Sequence, residues 1–314
     1  MEDSDGELVA HSNDAYFKKV FSDTGRAALF FQEHLPAPLV PHVDFASLRL
    51  VPGSFVKQSL QQAHSDLLFS VQIKGLPSFL YLLFEHQTTV DDRMPLRLLG
   101  YVLEILRTHA ETHGLPLPPV LSLVLHQGPD RWTVSPCFED LFALPESLTE
   151  VLMPYLPKFR HLLLDLSQCD PARDEKDAVI RVVLELMKQV RAKELFKFFV
   201  WLAGHELPPL DLLRFSLLYA WNAEPGLDLE QIAPNLEHNP KLREEIMSTA
   251  TTLIAKGKAE GKARGLVEGR LTGLQDIMNL PISSEEELAG LEFEELERRY
   301  KALQQQYEKQ YKLK

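Results

Sequence analysis

The sequence predicts an α/β fold: a mixed central sheet flanked by helices, followed by a helical C-terminal region. Three observations predict it. Short apolar runs separated by turn residues fill the stretch from about residue 45 to 86. An amphipathic helix and then a buried strand follow, an order that implies a mixed sheet rather than a sandwich. Beyond residue 170 the strand signals stop and only helical spacing remains. The 314 residues allow one well-buried core plus a second body or helical tail.

Taken in order, residues 1–10 read as an acidic lead with no apolar segment of the signal-peptide kind. Ser12, Asn13 and Asp14 are each good N-cap residues for a helix carrying Tyr16, Phe17, Val20 and Phe21. Ser22-Asp23 caps a second helical run from Arg26 to His34, which Pro36 and Pro38 close. Leu48–Val51, Ser54–Val56, Asp66–Ile73 and Phe79–His86 then read as antiparallel strands, with Pro52-Gly53 and Lys74–Pro77 as turns. The run 79–86 is apolar on both faces, as expected of a central strand covered on both sides.

Arg93 to His113 reads as one helix with Pro95 in its first turn. Leu96, Leu99, Leu103 and Leu106 form its expected buried stripe, with Arg97, Tyr101 and Glu104 on another face. Val120–His126 is a further buried strand, and Arg160–Asp165 closes a run of short elements. Asp174–Leu202 reads as one long helix, with another after Pro208-Pro209 reaching Trp221. From about Lys241 a new pattern begins, in which Gly257, Gly261, Gly265, Gly269 and Gly273 recur every fourth residue. Each glycine costs a helix roughly 0.5–1 kcal/mol against alanine. The regular spacing would let another helix backbone approach closely, so residues 251–314 are expected to order against a partner and to support a homo-oligomer. Leu288, Leu296, Tyr300, Leu303 and Tyr307 add a short coiled-coil-like pattern. The expected division is therefore a lead over 1–10, a core over 11–170, a helical region over 171–250 and a tail over 251–314.

Composition excludes several classes. The charge sum is 33 − 45 = −12, so nucleic acid would have to meet a local basic patch, for which Lys18, Lys19 and Arg93 are candidates. Cys137 and Cys169 form neither a disulfide framework nor a CxxC pair. No apolar run is long enough to span a membrane, so a cytoplasmic location is expected. There is no HExxH and no GxSxG. Gly257–Ala263 departs from a phosphate loop in spacing and in its last residue, which leaves no nucleotide cofactor expected.

What stands out is carboxylates at the ends of apolar strands. Asp66 opens one such run and Glu85 closes another, where an ionised group is costly to desolvate unless paired or metal-bound. If the two strands are antiparallel neighbours, the acids would meet at one sheet end, about 4–6 Å apart, as an oxygen-donor site for Mg²⁺. The alternative is that both mark strand ends at the surface. Gln87 lies two residues from Glu85, on the same side of a strand, while His86 points away and reads as a core histidine.

Further segments resemble a known family. Asn13 to Asp23 (Asn-Asp-Ala-Tyr-Phe-Lys-Lys-Val-Phe-Ser-Asp) is similar to the HDxxFKxxFSD opening of the recombination-promoting nuclease (Rpn) and putative transposase family. Glu33-His34-Leu35-Pro36, Gly53–Val56, Ser65–Ser70, Glu85-His86-Gln87, Arg97–Tyr101, Val120–Gly128, Pro157–Ser167 and the glycine repeat fit the same ordered pattern. The resemblance covers residues 10 to 275 and implies a restriction-endonuclease-like PD-(D/E)XK core, Mg²⁺-dependent DNA cleavage, and a link to DNA recombination or mobile elements. It implies that Asp66 and Glu85 hold the metal. Gln87 takes the superfamily's lysine position, where a neutral amide can orient water but cannot accept its proton. Asp14 is a third acid or an N-cap, and Asn13 replaces the family's usual histidine. Lys18 is a DNA-contact candidate. Arg97 and Tyr101 would bind the scissile phosphate, hold Glu85 or form a solvated face. The other functional class is a catalytically inactive interaction protein on the same fold, assembled through its tail.

Overall fold

The computed structural model describes residues 12–51, 67–85, 90–128, 130–224, 227, 232–278 and 280–311, for residues 82–85 the backbone alone. The expected acidic lead and the Ser54–Val56 strand lie outside the described residues. The chain divides into two compact units, Met1–Arg243 and Glu244–Lys314.

The first unit is built on a five-stranded sheet, among the described residues, in the order β1-β2-β3-β4-β5. Its strands are β1 (Val43–Leu50), β2 (Leu67–Ile73), β3 (Leu76–Glu85), β4 (Val120–His126) and β5 (Leu162–Asp165). β1 to β3 pair antiparallel, and β4 and β5 join parallel to β3. The mixed α/β sheet read from the sequence is therefore present. β1 starts five residues before the expected Leu48, and its ladder with β2 is irregular between Asp44 and Arg49. There the Ser47 hydroxyl accepts the Gln72 backbone N–H (2.8 Å) that the broken ladder leaves over.

The turn between β2 and β3 is shorter than expected. Lys74 (φ 50°) and Gly75 (φ 78°) alone make it, and Leu76 and Pro77 already belong to β3. Two consecutive positive φ values are what a tight hairpin needs to match strand twist. Pro77 is tolerated because its missing N–H falls on the side where β4 has not begun; β4 joins at Phe79.

Helices cover both faces. On one lies α3 (Met94–His113), the crossover between β3 and β4. Met94, Leu98, Val102 and Ile105 are its buried stripe, and Met94, Leu98 and Ile105 share a core cluster with Leu68, Phe79, Tyr81, Val124 and Trp132. This corrects the expected stripe: Leu96 and Leu103 are each 53% exposed. The helix is apolar on two faces at helical spacing, and fit to the sheet selects the face that brings Tyr101 against Tyr81 (ring centroids 5.8 Å).

On the other face lie α1 (Ser12–Phe21) and α2 (Thr24–His34). Phe31 of α2 meets Phe69 of β2 edge-on at 5.6 Å. Asp23 caps α2 as expected, accepting the Arg26 N–H at 3.0 Å, and Leu35 ends it. Ser12, Asn13 and Asp14 lie inside the first turn of α1 rather than before it.

The helix expected over Asp174–Leu202 is three helices, namely α5 (Pro171–Asp174), α6 (Ala178–Ala192) and α7 (Leu195–Ala203); α4 is Glu146–Leu152. Asp177 caps α6 through Val179 N and Ile180 N. Lys193 ends it in the left-handed conformation (φ 57°, ψ 41°), a place where glycine is usual. The break lets α7 turn back and bury Leu195, Phe198, Phe199 and Leu202. Glu33 of α2 braces this region, its carboxylate accepting the backbone N–H groups of Lys176 (2.9 Å) and Asp177 (2.7 Å). Beside it His34 Nε2 lies 3.3 Å from the buried Glu175 carboxyl. The helix α8 (Leu210–Ala223) packs on α1, where Tyr16 stacks on Tyr219 at 4.2 Å.

The glycine repeat lies within a single helix, α9 (Pro240–Ile277), followed by α10 (Glu285–Ala289) and α11 (Phe293–Tyr311). Leu271 of α9, Leu288 and Leu296 are buried together, with Val267, Leu291, Tyr300 and Leu303 around them. Arg264 ties the turn, its guanidinium donating to the carbonyls of Leu288 (2.5 Å) and Leu291 (3.0 Å). Thus the second half of the repeat orders against helices of its own chain. A Cβ at any of the five glycines would meet nothing within 4 Å among the described residues, so no helix of the described residues makes the close approach expected at the repeat.

Candidate active site

The three parallel strands end together. Glu85 of β3 is the register partner of His126 of β4, and His126 is the partner of Asp165 of β5. Two acids and an imidazole are thereby brought to one sheet end by strand pairing alone. The antiparallel β2 begins at the same end, with Leu67 opposite Leu82. Asp66 and Gln87, the other two expected catalytic positions, lie outside the described residues, as does His86; Glu85 is placed by its backbone.

Of the described groups, His126 is 1% exposed. Its Nε2–H donates to the Asp130 carbonyl (3.1 Å), which settles the tautomer, since a carbonyl only accepts. Its ring stands edge-on to Trp132 at 5.1 Å. Asp165 is occupied by backbone: Oδ2 accepts Trp132 N–H (2.8 Å) and Oδ1 accepts Ser167 N–H (3.0 Å). It pins the loop after β4 against the end of β5. On the far side of Trp132, His161 is buried, and burial together with the nearby Arg160 pushes its pKa down to about 4.

Arg97 and Tyr101 do not form a solvated face. Arg97 pairs with Asp91 at 3.0 Å, and Asp91 also accepts the Arg93 N–H (2.9 Å) at the start of α3. Tyr101 packs on Tyr81 in the core. Lys18 lies one turn beyond Asp14 on α1 and is half-buried, while Lys19 and Arg93 are exposed. Among the described residues no three His, Cys, Asp or Glu side chains form a metal-holding group.

The sequence reading missed Gln127, Tyr219 and the part played by Asn13. Gln127 follows β4 and is 1% exposed; its Nε2 donates to the Met187 carbonyl (2.5 Å) and to Tyr219 Oη (3.0 Å). Tyr219 in turn donates to Asn13 Oδ1 (2.8 Å). Burial raises the pKa of Tyr219 above its ordinary value, as it does that of Tyr16, so both stay protonated donors. The signal that singled out Asp66 and Glu85, a polar group ending an apolar strand, was equally present at His126-Gln127 and at Asp165.

Residues 11–205 match the family described as "Putative transposase, YhgA-like". The chain belongs to that family. The chain is also similar to proteins of Escherichia coli strain K12. It is 30% identical to recombination-promoting nuclease RpnC over 184 residues, 58% of this chain and 60% of the relative. It is 26% identical to recombination-promoting nuclease RpnA over 289 residues, 88% of this chain and 96% of the relative. With the inactive recombination-promoting nuclease-like protein RpnE it shares 32% identity over 116 residues, 37% of this chain and 39% of the relative. This chain therefore spans less than two thirds of RpnC but nearly all of RpnA. No solved structure matches the chain. No described helix is long and apolar enough to cross a membrane.

Proposed function

We propose that this chain is a metal-dependent DNA endonuclease with a PD-(D/E)XK core, acting in DNA recombination or on mobile elements. The observation that carries the reading is the sheet order. Antiparallel β1–β3 followed by parallel β4 and β5 bring the start of β2 and the end of β3 to one sheet end. The relatives named as recombination-promoting nucleases supply the reaction class. The proposal requires the β2–β3 register to continue one residue beyond Leu67, which would set Asp66 opposite position 83. By the two-residue period of a strand that is the face of position 85.

The donors fit the expected ion, since two carboxylates are hard oxygen ligands of the kind Mg²⁺ takes. A divalent cation held by Asp66 and Glu85 would neutralise phosphoryl charge and lower the pKa of a bound water. Gln87 would orient the attacking water by hydrogen bonding and cannot take its proton. Purified chain with Mg²⁺ should nick supercoiled plasmid, and chelation should stop it. Asp66→Ala and Glu85→Ala should each abolish nicking while leaving the thermal midpoint unchanged or raised, because a costly charge is removed. Nicking by Glu85→Ala at the wild-type rate would refute the assignment.

A second reading is a catalytically inactive interaction protein on the same fold, favoured by the relative named inactive. It predicts a folded chain that nicks no DNA with any divalent cation.

A further inference from the structure

The hydrogen bonds linking Gln127, Tyr219 and Asn13 join three elements that are far apart in sequence. Gln127 follows β4, directly after the register partner of Glu85. Tyr219 lies on α8, outside residues 11–205 matched by the family. Asn13 precedes Asp14 in the first turn of α1.

The bonds run in one direction, from Gln127 through Tyr219 to Asn13. The Met187 carbonyl can only accept, so the Gln127 atom 2.5 Å from it must be the amide nitrogen. That nitrogen's other hydrogen points to Tyr219 Oη at 3.0 Å. A tyrosine hydroxyl has one proton, and with Gln127 donating to it, that proton goes to Asn13 Oδ1 at 2.8 Å. The Gln127 end cannot be reversed, because an amide oxygen there would face the Met187 carbonyl. A chain of neutral, buried hydrogen bonds holds its ends in one geometry. It is also independent of pH across the physiological range, since none of its groups titrates there.

Such a device is more than the packing here needs. Tyr16 already stacks on Tyr219, and Tyr16 Oη has its own buried bond to Ser216 on α8 at 2.8 Å. These contacts fasten α1 to α8. What the Tyr219 hydroxyl adds is a link from α1 to the end of β4, where the strand ends converge.

We propose that Tyr219 is a positioning residue for phosphodiester cleavage, fixing the first turn of α1 against the C-terminal end of β4 through its hydroxyl. The proposal rests on the nuclease reading above. It assigns to α8, which the family match does not reach, a part in the active site.

The test compares plasmid nicking by the full chain and by Tyr219→Phe, Asn13→Leu, their double variant and Ser216→Ala, over a range of DNA concentrations at fixed Mg²⁺. Tyr219→Phe keeps the stacked ring and removes only the hydroxyl. A displaced catalytic group costs turnover rather than substrate binding, so kcat should fall about tenfold or more while KM for DNA changes less than about twofold. Asn13→Leu should do the same, and the double variant should be no worse than either single one, because one chain of bonds is broken once. Ser216→Ala removes a buried bond of the same helix pair and should lower the thermal midpoint while keeping kcat. Wild-type kcat in Tyr219→Phe, with the wild-type chain active, overturns the positioning role alone. An equal kcat loss in Ser216→Ala at a matched thermal midpoint also overturns it, by showing that general stability is responsible. No nicking by the wild-type chain overturns both this role and the nuclease reading.

Discussion

Replacing Glu33 by alanine should loosen the α2–α6 brace by a predictable amount and with a predictable pH dependence. The carboxylate accepts two backbone N–H bonds, from Lys176 at 2.9 Å and Asp177 at 2.7 Å, across more than 140 residues of sequence. A hydrogen bond to a charged group contributes about 1.5–3 kcal/mol, so two would give roughly 3–6. Glu33 is only half-buried, and water competes for it; discounting for that leaves about 2 kcal/mol. Burial opposes its charged form, but the two N–H donors outweigh it and hold the pKa below the usual carboxylate range. A group whose folded pKa is depressed stabilises above its unfolded pKa and loses that contribution as pH falls through the folded value. Urea unfolding of wild type and Glu33→Ala, followed by tryptophan fluorescence at pH 7 and again below pH 4, reads both quantities. The expected difference is about 2 kcal/mol at pH 7, shrinking in acid as the wild-type carboxyl is protonated. A difference under about 0.5 kcal/mol at pH 7, or one that grows in acid, would refute the reasoning.

Buried His161 supplies a test of the same sign from a base rather than an acid. Its pKa is pushed down to about 4 from an ordinary value near 6.5, so the unfolded chain binds its proton first and stability should fall as pH drops from 6.5 to 4, by roughly 3 kcal/mol in all. In His161→Phe that part of the pH dependence should vanish from the unfolding profile; a profile unchanged by the substitution would contradict it. In the tail, Leu296→Ala removes a fully buried side chain from the small cluster with Leu271 and Leu288. It should cost about 2–5 kcal/mol locally, seen as a loss of helical circular dichroism while the fluorescence transition of the sheet unit stays in place.

The strands were legible wherever turn residues bounded an apolar run. Val120–His126 has the same bounds in sequence and structure, and Asp23 announced the start of α2. Three features were not legible, each for a physical reason. Helical spacing in α3 was satisfied by two faces at once, and only contact with Tyr81 decides between them. The break at Lys193 carries no glycine or proline, because tertiary packing of Phe198 and Phe199 compensates a left-handed lysine. The partner of the glycine-rich helix was sought outside the chain, although Leu288 and Leu296 lay a short loop away. At the candidate site, strand ends and family resemblance single out Asp66, Glu85 and Gln87 as candidates. Tyr219 could not be, because a tyrosine on an apolar helix reads as core until its hydroxyl is traced to Asn13 and Gln127.

The backbone bonds of Asp165 bear on how any mutational survey of this protein should be interpreted. It is an acid ending a strand, register partner to His126, and would be chosen for substitution on the same grounds as Glu85. Yet both its oxygens hold amides of the loops after β4 and β5. Alanine there would leave Trp132 N–H and Ser167 N–H without these acceptors and release the indole from between two histidines. Lost activity in such a variant would therefore not by itself mark Asp165 as a ligand. A carboxylate can thus be indispensable to a reaction it never touches.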